Sequence, residues 1–187
     1  MIEYQLLKDL GVRYDAVEDK TVWLLSSSRV SKDRVDYLVE TGTWSFDVDS
    51  IESLSENKEK TAMKIKAYRD LLKTAKPGEL VILKSTTAIK NQNDLPFEMM
   101  DTAESVTYVK AVGVIEYNPD DGNSLNIKWI KYDDVKKFYL YYPSRAIVPI
   151  KYKGYWKDKE FLNFVFYDVP QRINKFVEYK LNKINKA

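Results

Sequence analysis

The stretch from Thr21 to Phe46 limits most strongly what this chain can fold into. Val22, Trp23, Leu24 and Leu25 form an apolar run of strand length that feeds a serine-rich loop, Ser26, Ser27 and Ser28. Ser31 then stands where a helix N-cap would, and Val35, Leu38 and Val39 recur on one helical face that ends at Gly42. Trp44 therefore opens a new segment just past a C-cap glycine. Two readings of that ring follow: it walls a pocket for a flat ligand among small hydroxyl residues, or it packs in the core as most buried aromatics do.

Composition narrows the chemistry. The 187 residues include no cysteine and no histidine, which removes disulfides, zinc fingers, thiol nucleophiles and the commonest general base together. Carboxylates, lysines, tyrosines and hydroxyls remain. A net charge of +2 is not the excess of a protein that holds nucleic acid by bulk electrostatics, so any such binding must rest on a local basic patch. No charged-then-apolar leader opens the chain and no apolar run reaches the ~20 residues of a membrane span, which places the protein in the cytoplasm. This length predicts one domain, and an apolar fraction of 44% is ample for its core.

Residues 1–20 read as a short amphipathic helix, with Ile2, Leu6, Leu7 and Leu10 at helical spacing and Gly11 as its stop, followed by a polar loop from Asp15 to Lys20. Residues 21–150 carry the main domain. Asp47 and Asp49 have carboxylates at strand spacing, but with no third ligand group nearby they read as loop or cap rather than metal site. Ser55 is the expected N-cap of a helix in which Ala62, Ile65, Tyr68 or Arg69, and Leu72 recur at helical spacing and which ends at Lys76, Pro77 and Gly78; Lys58, Lys60, Lys64 and Lys66 form its solvated face. Glu79 to Ser85 is a buried strand by its continuous apolar run. Thr86 to Ser105 reads as a long loop containing Phe97, Met99 and Met100, and loops of that length tend to be functional or mobile.

Val106–Tyr117 and Leu125–Tyr132 form a hairpin across the turn residues Asn118 to Asn123, with Trp129 in its core. After a polar interruption from Asp133 to Lys137, the aromatic run Phe138 to Tyr142 and then Ala146 to Ile150 continue as strand. Residues 151–187 form an extension in which lysines alternate with Tyr and Trp, Phe161 to Val165 is apolar, and Ile173, Phe176, Val177, Leu181 and Ile184 trace one helical stripe. Asp168 with Glu178 and Lys180 imitates a nuclease signature. That chemistry needs Glu and Lys on a strand converging on one metal, and a helical segment makes them diverge.

Four segments resemble one family. Val22 to Ser27 followed by Gly42, Thr43, Trp44 and Ser45 is similar to the opening of YTH and EVE domains. Lys76 to Leu83 resembles the turn and strand of EVE domains, Val112 to Glu116 a later EVE strand, and Leu125 to Ile130 a YTH strand. The matches stand in family order across roughly Thr21 to Tyr142. The resemblance implies an α/β (α+β) domain of PUA-like type, with a curved mixed sheet or small barrel surrounded by helices. It further implies a non-catalytic reader that needs no cofactor or metal and holds a flipped modified base in an aromatic cage.

On that resemblance the pocket lies between the Ser26, Ser27, Ser28 and Arg29 loop, Trp44, and the Thr86 to Ser105 loop. YTH domains carry further cage tryptophans after the strand matching Val112 to Glu116. This chain has none between Tyr117 and Trp129, so Phe46, Phe97 or a tyrosine must supply the other wall. Arg29, Lys32, Arg34, Lys84 and Lys90 are the expected phosphate contacts. The chain also looks like the N-terminal specificity domain of McrBC-type modification-dependent restriction systems, which implies methylated DNA as partner, N6-methyladenine first, with an AAA+ motor domain and a nuclease subunit elsewhere and no membrane. A reader of 5-methylcytosine, an RNA-binding PUA-like module and a protein-interaction scaffold are the alternatives.

Overall fold

Strand β1 (Thr21–Ser26) lies inside the sheet with a layer of helices on each face, which is why its apolar run does not alternate with polar residues. The computed structural model describes residues 5–27, 32–48, 57–98 and 103–185. The other described α-helices and strands are α1 (Gln5–Asp9), α2 (Ala16–Asp19), α3 (Lys32–Thr41), β2 (Thr43–Ser45), α4 (Lys58–Lys73), β3 (Leu80–Ile89), β4 (Glu104–Tyr117), β5 (Ser124–Tyr139), β6 (Ile147–Lys151), α5 (Trp156–Phe166) and α6 (Ile173–Ile184), with a single 3-10 turn at Gln92–Asp94. Together they make a mixed α+β fold around one curled six-stranded sheet of order β2-β5-β4-β3-β1-β6. Among the described residues only β1 and β3 pair in parallel; the other neighbours are antiparallel. Among the same residues no helix is long and apolar enough to cross a membrane.

Period-two alternation divides the strands between two cores. Val22, Leu24, Leu80, Ile82, Val112 and Phe138 face Leu7, Val17, Phe161, Phe166 and Phe176, from α1, α2, α5 and α6. Trp23, Leu25, Val81, Leu83 and Ile127 face Val35, Leu38, Trp44, Ile65 and Leu72, from α3, β2 and α4. Residues from the first twenty and from the last thirty therefore share one apolar cluster on the same face of the sheet.

The curl begins at Lys110. β3 pairs Leu83 with Ala111 and then Lys84 with Val109, so Lys110 is an extra residue on β4. At the same level the step from Ala111 to Val109 is matched on β5 by the longer step from Lys131 to Lys136. Bulges of this kind bend a strand and increase its twist. They correct two expectations. Thr86 to Ile89 is not loop but strand, paired with Glu104 to Thr107 beyond the bulge, and Asp133 to Lys137 lies within β5 rather than between strands. Asp15 to Lys20, read as loop, contains the single turn α2.

Helix α4 and the hairpin tip complete each other. The cap of α4 is Asn57, whose side chain accepts from Lys60 N at 3.0 Å; Ser55, the expected cap, lies outside the described residues, as do Ser31, Asp49, Met99 and Met100. At the other end the Asn118 amide donates to Leu72 O at 3.1 Å, which also accepts from Ala75 N, and to Ala75 O at 2.7 Å, just past the helix. Gly122, at φ +67°, sits so close that a Cβ would lie 2.9 Å from Arg69 O.

Gly113 marks a second close approach, because a Cβ there would stand 2.5 Å from Ile127 Cγ2 and 2.8 Å from Lys128 O. Gly113→Ala should destabilise the protein by roughly 1–3 kcal/mol, the usual cost of overpacking a filled site. Chemical denaturation checks this; an unchanged midpoint would show that the neighbouring strand yields.

Candidate functional site

β1 ends at Ser26 beside Lys84, in the middle of β3, which runs on to Ile89. Ser26 N donates to Ala146 O at 2.8 Å, and Ser27 donates to Lys84 O through both its amide, at 2.8 Å, and its hydroxyl, at 3.2 Å. Gly42 ends α3 at φ +65°, and its carbonyl accepts from Ile127 N at 2.7 Å. That bond aligns β2 on β5, with Trp44 opposite Leu125. The Trp44 indole N–H then donates to Ser26 O at 3.3 Å. Phe46 follows, its ring 6.4 Å from Trp44 and 5.4 Å, edge-on, from Tyr68. The Tyr68 hydroxyl accepts from Ala146 N at 3.3 Å.

Four of the expected pocket residues, Ser26, Ser27, Trp44 and Phe46, thus meet at one corner. The rings are packed rather than open: Trp44 is 2% and Phe46 5% exposed. This favours the core reading of Trp44 over that of an open wall. Phe97 does not join them. It packs on the opposite face of the sheet, half-buried, with its ring 5.8 Å from Tyr139, because β3 and β4 carry the sheet past the level at which a loop was expected. Ser28 and Arg29 lie outside the described residues.

Of the expected phosphate contacts, Lys32 and Arg34 fall in the first turn of α3, and Lys90 is exposed just beyond β3. Lys84 is a correction. It is only 1% exposed, and its ammonium donates to the carbonyls of Pro143 and of Arg145, the latter at 2.9 Å. A lysine so enclosed has no face to offer a phosphate. Burial pulls its pKa down to about 8, because desolvation disfavours the charged form and no carboxylate compensates.

A second constellation escaped the sequence reading. Lys157 on α5 stands 4.5 Å from the Tyr179 ring centroid and 5.2 Å from that of Phe176, while Lys175 stands 4.4 Å from Trp156 and Lys183 5.1 Å from Tyr179. The buried Glu160 pairs with Arg172 and, at 3.4 Å, with Lys175; the buried Glu104 pairs with Lys180 at 2.5 Å. The available signal was the helical spacing of Phe176, Tyr179, Lys180 and Lys183 along one side of α6, beside the alternating Lys and aromatic residues of 151–159. Among the described residues no group of three or more acidic side chains could hold a metal ion.

Two measurements follow. Trp44→Ala should cost roughly 3–5 kcal/mol in a denaturant melt, the range for truncating a core tryptophan; a loss under about 1 kcal/mol would mean that the ring lies open. For Lys84, the unfolded chain holds the proton more tightly than the folded one between about pH 8 and 10.5. Stability should therefore rise with pH across that window, by roughly 3 kcal/mol relative to Lys84→Met at full effect. The difference between parent and variant isolates this residue from other titrating groups, and a flat difference would show that the amine stays solvated.

No family model matches this chain, and no curated protein matches it.

Proposed function

We propose that the chain is a PUA-like nucleic-acid-binding domain that reads a modified base and performs no catalysis itself. One observation carries this reading: Ser26, Ser27, Trp44 and Phe46 meet at the carboxyl end of β1, beside Lys84 in the middle of β3, the residues at which the resemblance to YTH and EVE domains puts a base pocket. In this reading Trp44, bonded to Ser26 O and only 2% exposed, backs the corner, and the corner must open a face of the ring before a base can stack on it. The Gly42-to-Trp44 turn and the Lys128, Trp129, Ile130 strand are the YTH-like features, which favours N6-methyladenine over 5-methylcytosine. A specificity domain of this kind would work with an AAA+ motor and a nuclease carried on other domains or subunits.

A base that stacks on a ring must leave the duplex first, because stacked bases hide their faces. Extrusion costs a few kcal/mol, and one aromatic platform returns about 1–3 kcal/mol. Anything that weakens the pair should therefore strengthen binding.

The test uses fluorescence anisotropy with duplexes that differ only in one N6-methyladenine. Binding should be at least about tenfold tighter to the methylated duplex, equivalent to about 1.4 kcal/mol, and a mismatch opposite the methylated base should tighten it further. Trp44→Phe, which keeps a ring in the core, should reduce the methyl preference. Equal affinity for both duplexes would overturn the reading, and preferential RNA binding would replace it with that of an RNA-binding module.

A further inference from the structure

A cleft of about 250 Å³ opens between the start of β4, the end of β5 and the helices α5 and α6. Its lining includes Glu104, Ser105, Lys157, Tyr179, Lys180 and Lys183, three lysines against one carboxylate. Glu104 is fully buried and fixes Lys180 at 2.5 Å. Lys157 is fixed by donation to Leu140 O at 3.2 Å, and the Tyr155 hydroxyl donates to that of Tyr179 at 2.9 Å. Of the neighbouring carboxyls, Asp158 accepts from the Tyr141 hydroxyl at 2.8 Å, and Glu160 is engaged by Arg172 and Lys175. Among the described lining residues lysines therefore outnumber carboxylates, and Lys157 and Lys180 are held by the fold before any ligand arrives.

Size and chemistry point the same way. The volume lies below the roughly 300–1,000 Å³ of pockets that enclose a drug-sized molecule, which suits a compact anion. Burial pulls the Lys157 ammonium below the ordinary lysine value, and Lys183 and Lys180 repel it; an anion between them offsets that repulsion. The Tyr179 ring has Lys157 and Lys183 near its centroid, so its π surface is engaged by cations rather than offered to a base.

We propose that this cleft binds a phosphate group through Lys157, Lys180 and Lys183, supplied either by a nucleic-acid backbone or by a free nucleotide. Binding there is independent of base sequence. The inference rests on the reading in the preceding section only for the nucleic-acid source.

Calorimetry on the intact chain at low salt, with inorganic pyrophosphate and separately with a short unmethylated oligodeoxynucleotide, tests this. Both should bind saturably. Lys183→Gln, an exposed change that should leave the fold intact, should weaken both and lower the salt slope for the oligonucleotide by about 1, the signature of one lost phosphate contact. Glu104→Gln removes the opposing charge and should tighten pyrophosphate binding if its melt shows an intact fold. Pyrophosphate binding without oligonucleotide binding supports the cleft with a free nucleotide as its source, and overturns only the nucleic-acid reading. Absence of pyrophosphate binding, or affinities unchanged in Lys183→Gln, overturns the cleft, while a surviving preference for methylated duplex would leave the reader reading intact.

Discussion

The grip of Lys84 on the carbonyls of Pro143 and Arg145 holds the corner on which the rest of the sheet depends. Lys84 stands where β3 crosses the Lys110 bulge, its own carbonyl accepts both bonds from Ser27, and the segment it grips leads directly into β6. One residue thus joins the end of β1, the bend in β3 and the entry to β6. Burying an ammonium costs several kcal/mol even after the protein relaxes. The chain tolerates that penalty here because the alternative is a bend whose backbone carbonyls have no donors, a penalty of the same kind.

The parts of the fold that could be read from the sequence are those that a local pattern specifies. β1 and the first half of β3 are unbroken apolar runs, the hairpin is announced by Asn118 to Asn123, and α3 ends at the glycine expected to stop it. Non-local features were not legible. Thr86, Thr87 and Ile89 are good strand residues, but a register shift elsewhere decides whether they find a partner. Phe97, beyond the end of β3, packs in the cluster on the face opposite Trp44. Lys84 could not be recognised as buried because a lysine reads as surface until the carbonyls around it are known. The apolar stripe of α6 was visible, yet Leu181 and Ile184 remain 42% and 46% exposed: periodicity identifies a face, not what covers it.

For the candidate site the lesson is similar. Serines after an apolar strand and a tryptophan after a helix-ending glycine can be picked out by eye, and they do meet. Which way the ring faces is decided by Phe46, Tyr68 and the helices behind them. The lysine cleft depends on residues from β4, β5, α5 and α6, so no window of sequence contains it. The two features occupy opposite sides of the sheet, one against the α3 and α4 layer and one against the α5 and α6 layer. Each can therefore change in evolution without repacking the other.

The bonds from Asn118 to the last turn of α4 also bear on how the chain folds. A helix of 16 residues owes most of its stability in a protein to tertiary packing, and this one also takes hydrogen bonds at its C-terminal end from a turn more than forty residues later. That turn takes shape only as β4 and β5 zip together. The hairpin tip thus latches onto the end of a helix whose last turn Thr74 and Ala75 already close. A nick between Asn118 and Asn123 would release helix and hairpin at once.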